Sequence, residues 1–369
     1  MSRFLDSIAP DRNVSQPTLS VAVIGAGVFG RNHLRVYREL SASGYPVAVS
    51  AIVEPDDAAA SRLRAETGLA VFPSVEACVA ARHADGLKLD AASVCVPTSF
   101  HATVASTLMA DGIDVLLEKP IAASLEEADS LLRLAETSGR VLQVGHLERF
   151  NPAVLAIQPY LNGPMFFEAH RLSVFTPRSL DVDVVLDLMI HDLDIVLSMT
   201  RSPVMDLRAV GLPILSSKVD IANVRVEFES GCVANFTASR VSTERVRKLR
   251  FFQPRQYVSI DYARKDLLVI DVAGEIQRAA GRLHGGSLPE VTAEQQRAAA
   301  DSGLAFSKPR VEAGEPLRLE IESFLGCVRS RCAPRVSGED GRAALALALE
   351  IREVMIMHSR RAGLEKFYV

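Results

Sequence analysis

No run in the 369-residue chain approaches the roughly 20 uninterrupted apolar residues that a membrane-spanning helix requires. Its Ala/Leu-rich stretch, Ala343 to Met357, is broken by Glu350, Arg352 and Glu353 and reads as an amphipathic or buried helix. The first sixteen residues, MSRFLDSIAPDRNVSQ, lack the apolar core of a secretory signal. Cysteine is scarce. The five present, Cys78, Cys95, Cys232, Cys327 and Cys332, are odd in number and contain no C-x-x-C pair, which argues against a disulfide framework or a thiolate zinc site. A cytoplasmic protein is therefore expected. Basic charge is not in excess either: 41 Lys and Arg stand against 45 Asp and Glu, so no global field exists to hold nucleic acid or an anionic membrane. Gly (22) and Pro (18) fall short of a low-complexity composition, and 48% hydrophobic residues suffice for a core. The length suggests two to three domains.

The chain then falls into two grammars. Leu19 to Gly30 is an apolar run ending in glycines, followed by a helical pattern through His33, Leu34, Val36, Tyr37 and Leu40. Strand and helix alternate onward: strands at Val47–Glu54, Val71–Pro73, Leu89–Pro97, Ile113–Pro120 and Val141–His146, helices at Asp56–Thr67, Val75–Ala81, Ser99–Asp111 and Leu125–Thr137. Apolar strands alternating with helices imply a parallel sheet covered on both faces. From Phe150 period-two alternation takes over, with a hairpin over Ala222–Val241 turning at Ser-Gly and strands at Met165–Phe175, Val246–Pro254, Tyr257–Tyr262 and Asp266–Val272. Ala279–Gly314 reads as a poorly packed excursion before a helix over Pro316–Arg331. The expected class is α/β: residues 1–16 an arm, 17–147 a Rossmann-type doubly wound parallel sheet, 148–369 an α+β domain with an open, mostly antiparallel sheet.

Gly25-Ala26-Gly27-Val28-Phe29-Gly30 matches G-x-G-x-x-G between a strand and a helix. Gly25 permits the tight turn, Gly27 lets backbone approach a pyrophosphate, and Gly30 lets helix pack on strand. The alternative is a purely structural glycine turn. Glu54 ends the second strand where a carboxylate would accept ribose hydroxyls and repel a 2′-phosphate, and Pro55-Asp56-Asp57 adds no cation, so NAD is expected over NADP. An ordinary solvated carboxylate is the plainer reading of Glu54.

Val96-Pro97-Thr98-Ser99-Phe100-His101 and Leu117-Glu118-Lys119-Pro120 end the next strands, at the sheet edge where ligands bind. Pro120 biases Lys119 toward extended backbone, and partial desolvation there favours a neutral amine able to take a hydroxyl proton. Glu118 would orient Lys119 or a carboxamide; a surface Lys-Glu pair is the alternative. Asp181 to Asp194 shows helical periodicity, with Leu186, Ile190, Leu193 and Leu197 on one stripe and Asp187, His191 and Asp194 on a neighbouring one. A histidine among carboxylates suits proton transfer. A structural histidine and a divalent-metal cluster stand beside that reading, but the metal lacks a further ligand group, and none is expected. His146 to Pro152 marks the domain junction, where Arg149 would pair with a substrate anion or staple the domains. Arg178, Arg240 and Arg245 are further cationic candidates, each with a structural alternative.

These segments, GAGVFG, VPTSFHA, LLEKPIA, VGHLERFNPA, the Asp187-x-x-x-His191 pair, EPLRLEIESFLGCV and PRVSGEDGRAAL, resemble the Gfo/Idh/MocA oxidoreductases over nearly the whole chain. The resemblance implies Lys119 as catalytic lysine with Asp187 and His191 as partners. It implies cofactor contacts from Gly25, Gly27, Val28, Phe29, Gly30, Glu54, Pro97, Thr98, His101, Glu118, Lys119 and Pro120. Substrate contacts would come from Lys119, Arg149, Asn151, Arg178, Asp187 and His191, and self-association as a dimer or tetramer through the open sheet is implied as well. Met189 departs from the glycine many relatives place between the Asp and the His. The segments from His146 to Ala153, His170 to Ile195 and Asp220 to Val241 resemble the branch acting on UDP-N-acetylglucosamine. That branch oxidises the C3 hydroxyl to a 3-keto nucleotide sugar for amination in lipid A or surface polysaccharide synthesis. The alternatives are oxidation of a free polyol or hexose, and a non-catalytic dinucleotide-sensing regulator.

Overall fold

The computed structural model describes residues 17–175, 182–272 and 304–364. The expected arm at 1–16, Arg178 and most of Ala279–Gly314 lie outside the described residues. Two units emerge: one takes the chain to His146 together with Leu317–Arg342, the other Leu147–Pro316 together with the chain from Ala343.

In the first unit, β1 (Leu19–Ile24), β2 (Val47–Val53), β3 (Ala70–Phe72), β4 (Ala91–Val94), β5 (Asp114–Glu118) and β6 (Leu142–Gly145) form a parallel sheet in the order β3-β2-β1-β4-β5-β6. Nearly every side chain of β4, β5 and β6 is buried, as a sheet covered on both faces demands. Five helices connect the strands: α1 (Val28–Ala42), α2 (Asp57–Thr67), α3 (Val75–Ala84), α4 (His101–Ala110) and α5 (Leu125–Ser138). The strand order reverses between β1 and β4, which puts the ligand-binding crevice outside the carboxyl ends of that pair.

The helix starts differ in a way that bears on that crevice. Asp56, Ser74 and Ser124 cap α2, α3 and α5 with side-chain oxygens. By contrast, α1 starts at Gly27 with no side-chain cap and no acid in its first turn, leaving its free N–H groups and its dipole to an anion.

The segment Leu317–Arg342, which the sequence pattern assigns to the second domain, packs with the first. Leu317, Ile321, Phe324, Leu325 and Val328 give α8 (Pro316–Ser330) a buried stripe, and such a stripe does not say which groove it fills. Glycine makes the next approach possible: a Cβ on Gly338 would lie 2.4 Å from Leu132 Cδ2, and one on Gly341 2.7 Å from Val144 Cγ2.

The second unit holds β7 (Phe166–Val174), β8 (Val204–Leu212), β9 (Ile221–Phe228), β10 (Val233–Ser242), β11 (Val246–Gln253), β12 (Gln256–Asp261), β13 (Asp266–Val272) and β14 (Leu304–Ser307). They form one sheet in the order β14-β13-β12-β11-β7-β10-β9-β8, antiparallel except where β7 pairs parallel with β10. The expected hairpin is β9-β10, with Gly231 at φ +80° in its turn. Two strands differ from expectation: β8 was unmarked, and Leu304–Ser307 pairs with β13 where an excursion was expected. Phe167, Val224, Phe236, Phe251 and Ile260 bury one sheet face with α6 (Pro152–Ala156), α7 (Ile190–Thr200) and Leu347, Ile351 and Met355 of α9 (Gly338–Arg361). Each such side chain contributes about 1.5–3 kcal/mol. Met205, Val210 and Phe252 remain exposed. Among the described residues no helix is long and apolar enough to cross a membrane.

Candidate active site

The glycine loop is built from two tight contacts and one open position. Gly25 holds φ +85°, and a Cβ there would lie 2.9 Å from the Cys95 carbonyl oxygen. One on Gly30 would lie 1.8 Å from the Gly25 carbonyl oxygen, so only glycine lets α1 start this close to β1. At Gly27 a Cβ would meet nothing within 4 Å, and Val28 and Phe29 are exposed beside it. Glu54 Oε2 accepts from Ala26 N at 3.2 Å and Oε1 from Asp56 N at 3.1 Å, so the carboxylate stands against the loop with lone pairs to spare. An open glycine, an uncapped helix and a carboxylate at the second strand fit NAD.

At the sheet's carboxyl edge, Lys119 is half-buried just after β5, and its bond to Pro120 is cis. His101 is 1% exposed, with Nδ1 2.8 Å from the Pro120 carbonyl and Nε2 2.9 Å from the Val96 carbonyl. Burial holds its pKa below the ordinary histidine value, against the opposing pull of those carbonyls. His101 thus sits packed between the loop after β4 and the loop carrying Lys119, its ring N–H donating to one of the two carbonyls. Pro97 precedes the 3₁₀ turn Thr98–Phe100 on that first loop, with Pro97 exposed and Thr98 half-buried.

In the second unit the continuous helix expected over Asp181–Asp194 is corrected: a π-turn, Val185–Met189, precedes α7. Asp183 caps this turn, its Oδ1 accepting from Val185 N at 3.0 Å and Leu186 N at 3.1 Å while Arg352 pairs with Oδ2 at 2.7 Å. The wider turn changes the angular offset between Asp187 and His191 from that of an ideal i, i+4 pair. Both are half-buried. Asp194 is 2% exposed, with Oδ2 3.7 Å from Arg149 Nε, so those two expected site residues face each other. Asn151, expected at substrate, is instead spent on the fold: its amide donates to Glu148 Oε2 and the Tyr262 carbonyl, each at 3.1 Å, and its oxygen caps Ala153 N. Arg240 is buried against the Val182 carbonyl and Asp220, whereas Arg245 is exposed.

Two residues escaped the sequence pattern. His33 looked like one more position on the buried face of α1, yet its Nε2 donates to Glu118 Oε1 at 3.1 Å. Glu320, on α8 two hundred residues downstream, is fully buried beside that pair. A charged residue at a core position of an amphipathic stripe was the one available signal.

Residues 19–146 match the family model described as "Oxidoreductase family, NAD-binding Rossmann fold", GFO_IDH_MocA. The chain is 35% identical over 335 residues to a UDP-N-acetylglucosamine 3-dehydrogenase of Acidithiobacillus ferrooxidans, covering 90% of this chain and 96% of that protein. A solved structure, UDP-N-acetylglucosamine 3-dehydrogenase GnnA from the same organism, superposes with a TM-score of 0.78 at 31% identity, covering 92% of this chain and 98% of the other. An inositol 2-dehydrogenase of Rhizobium meliloti is 25% identical over 350 residues, covering 90% of this chain and 95% of that protein.

Proposed function

The chain belongs to the Gfo/Idh/MocA oxidoreductase family, and from that premise we propose that it oxidises the C3 hydroxyl of UDP-N-acetylglucosamine to the 3-keto nucleotide sugar. That it is an NAD-dependent dehydrogenase acting on a CH–OH group follows from the family and its NAD-binding Rossmann unit. The finer reading is carried by 35% identity to an enzyme of that name along 96% of its length.

In the proposed reaction NAD, when bound, supplies the hydride acceptor. The uncapped start of α1 and the open Gly27 receive its pyrophosphate, and Glu54 receives its ribose hydroxyls. The Lys119 amine takes the hydroxyl proton as the C–H bond breaks. Pro97, Thr98 and Pro120 shape the wall on either side, with His101 packed between the two loops. Asp187 and His191 hydrogen-bond the substrate hydroxyl, and Arg149 stands by for a diphosphate. A 3-keto group is open to amination, which fits a place in lipid A or surface polysaccharide synthesis. The exposed residues Met205, Val210 and Phe252 support homo-oligomerisation through the second sheet, checked by light scattering.

Mixing the protein with NAD and UDP-N-acetylglucosamine should raise the absorbance of reduced nicotinamide while the sugar loses two hydrogens by mass. Turnover of inositol with no gain from a UDP group would replace this reading with the polyol one, which the inositol dehydrogenase relative favours. Glu54→Ser combined with Asp56→Arg should cut the preference for NAD over NADP by roughly tenfold or more, since removing one like-charge contact is worth at least about 1.4 kcal/mol. An unchanged NAD/NADP ratio of kcat/KM would remove Glu54 from cofactor choice.

A further inference from the structure

His33, Glu118 and Glu320 bring one ring nitrogen and two carboxyl oxygens within 4.8 Å of one another, from α1, the end of β5 and α8. His33 and Glu320 are fully buried, and the Glu118 side chain is 13% exposed. His33 Nε2 donates to Glu118, whereas neither carboxyl oxygen of Glu320 has a hydrogen-bond partner. The titratable groups facing Glu320 are Glu118 from β5, His33 and Tyr37 from α1, and Cys95 after β4. No cation pairs with it among the described residues. Two carboxylates this close in a water-poor interior do not both ionise, and the one with a donor keeps the charge. That is Glu118. Burial first, and the Glu118 charge second, hold the Glu320 carboxyl well above the usual carboxylate range.

We propose that Glu320 is a positioning residue for the oxidation: as the uncharged acid it donates to Glu118 through one bridging water, and with His33 fixes the strand end that presents Lys119. The role of Lys119 in this statement rests on the proposed function. Glu118 immediately precedes Lys119, so a displacement of its carboxylate is transmitted through a single peptide unit. His33 also packs against Phe29 in a tilted arrangement, ring centroids 5.3 Å apart, which links the phosphate loop to the same three residues. Polar atoms within 4.8 Å of one another, with no direct bond to either Glu320 oxygen, suit one water with three polar partners. Loss of the Glu320 proton would put two negative charges side by side at the strand end that leads into Lys119.

Thermal unfolding with no substrate present tests the proton. A carboxyl with a raised folded pKa binds its proton more tightly folded than unfolded, so its contribution is unperturbed below the usual carboxylate range and stability drains away as pH rises toward the folded value. Glu320→Gln cannot lose that proton. Its Tm should gain on wild type progressively from acidic to alkaline pH, and a gap that stays flat overturns the proposal. Glu118→Gln should shrink the slope without abolishing it, because burial is the larger cause. Infrared spectra at neutral pH should show a protonated-carboxyl band in wild type that Glu320→Gln lacks; no such band, or a stoichiometric divalent ion that survives chelation, overturns it. For the positioning role, Glu320→Leu should lower kcat about tenfold with Glu320→Gln recovering most of the loss; equal kcat in the two variants overturns it. If UDP-N-acetylglucosamine is not oxidised, the substrate reading fails alone: the thermal and infrared results still decide Glu320, and the rate comparison moves to the alcohol that is oxidised.

Discussion

Lys119→Met is expected to lower kcat by about 10²–10⁴-fold, the range that a positioned general base supplies. Methionine keeps the length and the apolar stem, so the half-buried position stays filled and only the amine is lost. The loop should survive, because what holds it is His101 packed between the Pro120 and Val96 carbonyls and His33 on Glu118, none of which involves the lysine amine. NAD binding should therefore change by no more than about twofold, since pyrophosphate and ribose contacts lie on α1 and Glu54. The two readouts separate chemistry from binding: a fall in kcat with unchanged NAD affinity marks an interaction made only in the transition state. The residual rate should also lose the part of its pH profile that lysine titration imposes. A variant running near the wild-type rate would take Lys119 out of the mechanism.

How much of this was legible in the residues depends on the range of the interaction. GAGVFG could be read because its requirements are local: each glycine answers a clash or an approach within the same turn or with the adjoining strand. The alternation of apolar strands with helices likewise reports a sheet covered on both faces, and β9-β10 announced itself by period two around a Ser-Gly turn. What stayed hidden is set by distant partners. Nothing local distinguishes an α8 stripe that fills a groove of the first unit from one that fills the second, and Glu320 acquires its meaning only when α8 lies beside β5 and α1. The π-turn at Val185–Met189 was invisible to a 3.6-residue template, which fits Asp187 and His191 as well as an ordinary helix would. Asn151 shows the converse error: a polar residue beside a candidate arginine looks like a ligand until its donors are counted, and both are spent on Glu148 and Tyr262.

Arg171 went unmarked for the same reason, and its loss should be the costliest single change to the second unit. Its guanidinium is 4% exposed, gives Nε and Nη2 to Asp192 at 2.8 and 2.9 Å and Nη1 to Glu148 at 3.0 Å, and lies 5.3 Å over the Tyr262 ring. Burial alone would lower its pKa; Asp192 and Glu148 outweigh that and raise it, so the charge is secure in the folded state. Arg171→Met keeps most of the stem and strands two acids, one of them 3% exposed, which should cost about 3–5 kcal/mol in urea unfolding. Replacing both partners, Arg171→Met with Asp192→Leu, should recover a substantial part of that loss, because the penalty belongs to the uncompensated charge more than to the missing bond. A single-variant loss under about 1 kcal/mol would make the network a bystander. Asp192 directly follows His191, and its two bonds to Arg171 set the rotation of α7 at that point. The double variant should therefore regain stability while kcat stays depressed, since apolar packing restores the core but not the angle at which α7 carries the histidine.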